Sequence, residues 1–231
     1  MLPDWAQSPQ ELLERWQATC RKRDLRKQAA FFVSLGWGAR LCKLFAVACT
    51  RAAFATRLNT RSLALLDLVE RRADDRSLQE ELIAEVNAIA REIDDFETNG
   101  WPDREMYRYH SQVFHAVYGV ASQNPVWAAG SMAGRRHSEL FGRILTAMLG
   151  PGWKWKDEWR THTVLALGSG IYDDLAWERM PILSDALVDA GCDEVNLLGY
   201  CRGDGPFFRG CLVLDAILEK SDRCGEGDIL D

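Results

Sequence analysis

The sequence predicts an all-α protein, with about nine to ten helices in an irregular bundle or in stacked helix pairs. Three observations carry that prediction. Apolar residues recur at steps of three and four, most clearly at Leu78, Leu82, Val86, Ile89, Ile93 and Phe96, which puts them on one helix face. Helix-start signals, Ser8-Pro9-Gln10-Glu11 and Ser77-Leu78-Gln79-Glu80, stand immediately before such stretches. No stretch alternates apolar and polar residues with the period of two that a half-buried strand requires.

Each element follows from its own punctuation. Ser8 to Glu11 forms a capping box with proline at the first helical position, and it opens a helix carrying Leu12, Leu13 and Trp16. Asp24 starts a second helix, which ends near Gly36-Trp37-Gly38; a third runs through Leu41, Leu44, Phe45, Ala48 and Ala52. Thr60 is the expected cap of a fourth, with Leu65, Leu66 and Val69 on one side. The long helix led by the Ser77 box stops at Asn99-Gly100. Pro102 is expected to begin a helix through Met106, Val113, Phe114 and Val117. Asn124-Pro125 then breaks the chain before a helix that reaches Leu149.

Gly150-Pro151-Gly152 is the strongest break, and it divides the reading into an N-terminal helical region, 1–149, and a C-terminal one, 153–231, expected to share one core. Beyond it lies Trp153-Lys154-Trp155-Lys156-Asp157-Glu158-Trp159. Helices follow over 160–168 and 171–190, with a kink or restart at Pro181 and Gly191 as the C-cap. Gly168-Ser169-Gly170 reads as a helix-to-helix turn. Two short helices near 193–201 and 210–220 complete the chain, joined by a glycine-rich turn, and the tail from Ser221 is expected to fray.

Composition narrows the class. Of 231 residues, 47% are hydrophobic, and 28 Lys+Arg face 34 Asp+Glu, a formal net charge of −6. Disorder, collagen-like repeats and a small disulfide scaffold are excluded on these proportions. The longest unbroken apolar runs, such as 44–49, fall far short of the roughly 20 residues a bilayer span needs, so no membrane partner is expected. The first residues lack a charged leader before an apolar core, so export is not expected either. The seven cysteines (Cys20, Cys42, Cys49, Cys192, Cys201, Cys211, Cys224) are an odd number without a C-x2-C pair. They read as reduced, buried small hydrophobes in a cytoplasm. Charge is polarised, +6 over residues 1–60 and −9 over 172–231, which suits attraction within a fold or between copies better than continuous phosphate binding.

Candidate chemistry is sparse. Asp173, Asp174, Glu178, Asp185 and Asp189 place carboxylates four apart, a spacing able to hold a divalent cation, opposite an expected buried stripe of Ile171, Leu175, Ile182 and Ala186. A solvated acidic face is the plainer account. His110, His115, His137 and His162 form no zinc or di-iron helical pair. Gly203-Asp204-Gly205-Pro206, with Arg202 and Arg209 nearby, reads as a turn or as a backbone nest for an anion. Trp153, Trp155 and Trp159 are the most informative residues, because tryptophan either seals a core or anchors a partner.

From Thr163 onward the chain resembles a recurring C-terminal helical segment of an uncharacterised planctomycete bacterial protein family. The residues concerned are Thr163-Val164-Leu165-Ala166-Leu167, Gly170-Ile171-Tyr172-Asp173-Asp174, the run from Trp177 to Leu187, and Asp189-Ala190-Gly191-Cys192. Cys201-Arg202-Gly203 and Arg209-Gly210-Cys211, with Val213 and Asp215, complete it. Lys43 to Cys49 is similar to that family's N-terminal helix. The chain departs from the pattern at Thr50, Arg51 and Ala52, and at Tyr200 where a histidine often precedes Cys-Arg-Gly. The resemblance implies a bacterial, cytoplasmic helical protein and supplies no activity, cofactor or metal.

Together these readings favour a protein-interaction module or complex subunit, docking a protein partner or itself, with Trp153, Trp155, Trp159, Arg202 and Arg209 as interaction residues. No catalytic residue is assigned. The first alternative is nucleic-acid binding through Arg21, Lys22, Arg23, Arg26 and Lys27. The second is a metal-dependent enzyme using the acidic C-terminal helices.

Overall fold

The computed structural model describes residues 8–21, 25–109, 113, 115–122, 138–150 and 153–220. Among them the regular structure is entirely helical, twelve α-helices linked by loops and single 3₁₀ turns. None is long and apolar enough to cross a membrane. The packing forms two units: a central one from the described residues of 19–137, and a terminal one from those of 1–18 and 138–223.

The central unit contains α2 (Leu25–Ser34), α3 (Ala39–Ala53), α4 (Thr60–Asp74), α5 (Gln79–Asn99), α6 (Arg104–Tyr109) and α7 (His115–Ser122). Helix α3 is its axis. All but one residue from Ala39 to Thr50 is buried, because α3 packs against both α4 and α7. A helix covered on several sides must also satisfy the polar groups it carries inside. Arg40 Nε therefore donates to Asp74 Oδ1 at 2.7 Å, and Lys43 Nζ donates to the carbonyls of Val120 at 2.6 Å and Ala121 at 3.5 Å near the end of α7. Burial, reinforced by the nearby Arg72 charge, pulls Lys43 from an ordinary 10.5 down to about 7. Val47, Leu65, Leu66, Val69, Leu82, Ile89, Val113, Val117 and Val120 fill the space between these helices. Phe32 stacks on Trp37 with ring centroids 5.4 Å apart, and both rings contact Phe45.

Several expected caps are replaced by neighbours that reach the amides better. Asn59, not Thr60, caps α4, its Oδ1 accepting from Ser62 N at 2.9 Å. Asp75, not Ser77, opens the next turn by accepting from Ser77 N at 2.9 Å, and a 3₁₀ turn at Arg76–Leu78 precedes α5. That extra turn starts α5 two residues after the expected cap without altering its buried face, which holds Leu82 and Ile89 with Val86 and Ile93 partly covered. Gly100, at φ +94°, ends it as expected. After Pro102, Asp103 accepts from Met106 N at 2.6 Å at the start of α6, which carries Met106, and α7 carries Val117; of the residues between the two helices only Val113, itself helical, is described. Asn124-Pro125 and the tail from Ser221 lie outside the described residues.

The terminal unit contains the start of α1 (Pro9–Arg21) with α8 (Ser138–Leu149), α9 (His162–Asp174), α10 (Met180–Asp189), α11 (Val195–Arg202) and α12 (Leu212–Ile217). Leu12 and Trp16, four apart on α1, are fully buried. Gly168-Ser169-Gly170 is not a turn, because α9 runs straight through it. The glycine serves packing instead: a Cβ at Gly168 would lie 2.8 Å from Ile217 Cγ2, so its absence lets α12 approach. Helix α9 ends at Leu175, a left-handed residue at φ 55°. A 3₁₀ turn at Trp177–Arg179 then hands over to α10, where Pro181 occupies the first turn as a restart.

The expected buried stripe on α10 is corrected. Ile182 is 54% exposed, while Met180, Leu183 and Leu187 are buried. The break at Leu175 resets the helical phase, so a stripe extrapolated from Ile171 points the wrong way. At the far end Cys192 N donates to Leu187 O and Gly191 N to Val188 O, both at 2.9 Å, a Schellman closure with Gly191 at φ +82°.

Candidate functional site: an aromatic cleft

Helix α8 supplies one face of an open cleft in the terminal unit, about 540 Å³ in volume. Glu139, Gly142, Arg143, Thr146 and Ala147 follow at steps of three, one, three and one, the period of a single helical face. Gln10 and Leu13 of α1 border it on one side. Gly142 sets that approach, since a Cβ there would meet Leu13 Cδ1 at 2.5 Å. Opposite stand Trp153, Tyr200 from the end of α11, and the Gly205-Pro206 turn.

Aromatic contacts fix the far wall. The Trp153 and Tyr200 rings lie 5.2 Å apart at 47°, and Phe207 meets Tyr200 edge-on at 5.3 Å. Tyr200 Oη donates to Pro206 O at 2.6 Å, which ties the ring to the turn beyond it. Arg143 Nη2 donates to Gly205 O at 2.9 Å, joining α8 to the same turn. Thr146 Oγ1 donates to Gly142 O, and Gln10 Nε2 to Glu14 Oε1. The lining thus combines aromatic and aliphatic groups with engaged polar side chains and two charged ones, Arg143 and Glu139.

The thiols behind Tyr200 are not reactive groups. Cys192, Cys201 and Cys211 are buried thiols, and Cys42 and Cys49 are buried as well. Burial raises all three of the terminal-unit thiols, Cys211 being pushed up to about 12, and nearby thiols raise Cys201 further. Burial also holds the Tyr200 hydroxyl well above its ordinary value. These groups stay protonated at neutral pH and act as packing. Among the described residues no three His, Cys, Asp or Glu side chains converge to hold a metal ion.

The five residues expected at an interaction surface have different fates. Trp153 lines the cleft and is half-buried. Trp159 is 1% exposed, an interior residue whose ring no partner can reach, which corrects its assignment as an anchor. Trp155 is half-buried and meets Trp159 edge-on at 5.7 Å, with the Arg160 guanidinium 6.0 Å over its ring. Arg160 in turn donates to Ala216 O at 2.9 Å and pairs with Glu219, fastening the segment to the end of α12. Arg202 is exposed and pairs with Asp185 at 2.9 Å. Arg209 turns inward to donate to Tyr172 O at 3.2 Å and 3.3 Å, closing the C-terminal end of α9 while its guanidinium lies 5.2 Å over the Tyr172 ring. The glycine-rich turn between them therefore meets Arg143, not an Arg202–Arg209 nest.

The alternatives gather less support. Lys22 and Arg23 lie outside the described residues; Arg21 belongs to α1 and Arg26 to α2, where Lys27 is exposed. Asp173, Asp174, Glu178, Asp185 and Asp189 are all exposed, and Arg179 stands within 4 Å of Asp174 and Glu178. His162 is exposed at the start of α9; the other histidine side chains lie outside the description. Sequence reasoning missed Arg143, Gly142 and the wall role of Tyr200. The only legible signal was the helical spacing from Glu139 to Ala147, whose facing partners other than Trp153 come from distant parts of the chain on either side. Comparison with family models, curated proteins and solved structures found no match to this chain.

Proposed function

We propose that the chain is a helical interaction module that docks a segment of a protein partner in the Trp153–Tyr200 cleft, as a subunit of a bacterial cytoplasmic complex. The observation that carries this reading is the cleft itself: an open groove of about 540 Å³ walled by a tryptophan, a tyrosine and a proline, with a smooth helical floor. Tryptophan and tyrosine in a concave, partly dry setting supply most of the energy in small interfaces. The groove offers rings and an arginine, and its neighbouring thiols are held protonated, so the groups on hand are suited to binding.

The test is affinity capture from the native host by the tagged full chain, with sedimentation measured in parallel. A stoichiometric partner that is lost at least about tenfold on Trp153→Ala, while the thermal midpoint moves by only a few degrees, supports the reading. A partner retained equally by Trp153→Ala removes the cleft from the interface.

A further inference from the structure

We infer that the segment seated in the cleft presents an aromatic side chain beside a single carboxylate, and that Arg143 reads that carboxylate. The inference rests on the docking reading above. Arg143 is exposed on α8, and its one bond to Gly205 O holds the guanidinium at the cleft edge. A guanidinium carries five N–H donors in a planar fork suited to a carboxylate. Among the described residues no carboxylate lies within ion-pairing distance of Arg143, so most of that fork is uncommitted.

The neighbouring polar groups are neutral and do not take its place. Tyr200 Oη, Thr146 Oγ1 and Gln10 Nε2 already donate to Pro206 O, Gly142 O and Glu14. The two hydroxyl protons are spent and Gln10 keeps one amide N–H without a charge, so none of the three matches a guanidinium for a carboxylate, whereas the Trp153 and Tyr200 rings line the groove. An aromatic side chain of the partner stacks against those rings, and a carboxylate next to it in sequence reaches the rim. Glu139 completes the selection. It lines the same cleft one helical turn before Arg143, so a second carboxylate meets a like charge. The complement is one negative charge, not an acidic tract.

The experiment titrates the full chain, labelled with ¹⁵N at its nine tryptophans, with N-acetyl-Phe-Asp-amide and N-acetyl-Phe-Asn-amide. The indole resonance of Trp153, assigned through Trp153→Phe, reports the cleft, and the remaining indoles report an intact fold. The expected result is a shift of the Trp153 indole with about tenfold tighter binding of the Asp peptide, the effect of one charge-assisted contact at a partly exposed site. Arg143→Gln erases the difference by weakening only the Asp peptide, and Arg143→Lys restores part of it. N-acetyl-Asp-Phe-Asp-amide binds no better than the single-carboxylate peptide. Equal binding of the Asp and Asn peptides, a preference that survives Arg143→Gln, or tighter binding of the doubly charged peptide overturns the carboxylate assignment while leaving aromatic docking in place. If neither peptide moves the Trp153 indole at millimolar concentration, aromatic docking in the cleft and the carboxylate assignment fall together.

Discussion

Replacing Lys43 with methionine isolates the cost of holding an amine inside α3. In the folded chain burial brings this group down to about 7, whereas in the unfolded chain it titrates near 10.5. Between those values the unfolded state binds a proton that the folded state does not, so this group makes stability rise with pH across that window. Below about pH 7 both states are protonated, and the folded chain carries the full penalty of a buried charge. At about 1.4 kcal/mol per pH unit, and with the folded amine half-titrated at the start, the gain from pH 7 to pH 9 is about 2 kcal/mol.

The buried thiols act in the opposite sense. Their folded values are raised, so they erode stability as pH climbs past the unfolded thiol value near 8.5. They are common to both proteins, so the difference between wild type and Lys43→Met cancels them. Urea unfolding at half-unit intervals from pH 6.5 to pH 9 reads that difference directly. Lys43→Met also strands the Val120 carbonyl, a pH-independent cost of about 1–3 kcal/mol that shifts the whole curve without changing its slope. Parallel stability curves for the two proteins over this range would refute the assignment of a depressed, buried lysine.

Three further outcomes test the packing and the caps. Gly168→Ala lowers stability by about 1–3 kcal/mol despite alanine's better helix propensity, because its methyl collides with the buried Ile217; Gly170→Ala, with nothing within 4 Å, gains about 0.5–1 kcal/mol, and thermal melts of the pair show opposite signs. Trp159→Ala loses about 3–5 kcal/mol in chemical denaturation, and a loss below 1 kcal/mol would return that ring to the surface. Asn59→Ala costs about 1 kcal/mol while Thr60→Ala is nearly neutral, and the reverse order would put the α4 cap back on Thr60.

What the sequence reveals and what it hides divides by range. The apolar rhythm from Leu78 to Phe96 survives as the buried face of α5, and Gly100 and Gly191 terminate helices with the positive φ their position demands. Caps slipped by one or two residues because Asn59 and Thr60, or Asp75 and Ser77, are chemically near-equivalent acceptors and only the local backbone selects between them. Gly168 misled for a deeper reason: glycine in a helix looks like a breaker until the helix that packs on it is known.

The sequence by itself determined an all-α chain, the approximate extent of most helices and the burial of the five cysteines whose side chains are described, since all three follow from local periodicity and from the cost of exposing apolar groups. Only the tertiary structure decided that Trp159 is interior while Trp153 is a cleft wall, and that Arg209 closes a helix while Arg143 stands at the rim. The last three of those outcomes depend on Tyr172, Tyr200 and Gly205 arriving from distant parts of the chain. Spacing along one helix says which side chains share a face. It carries no information about what that face will meet.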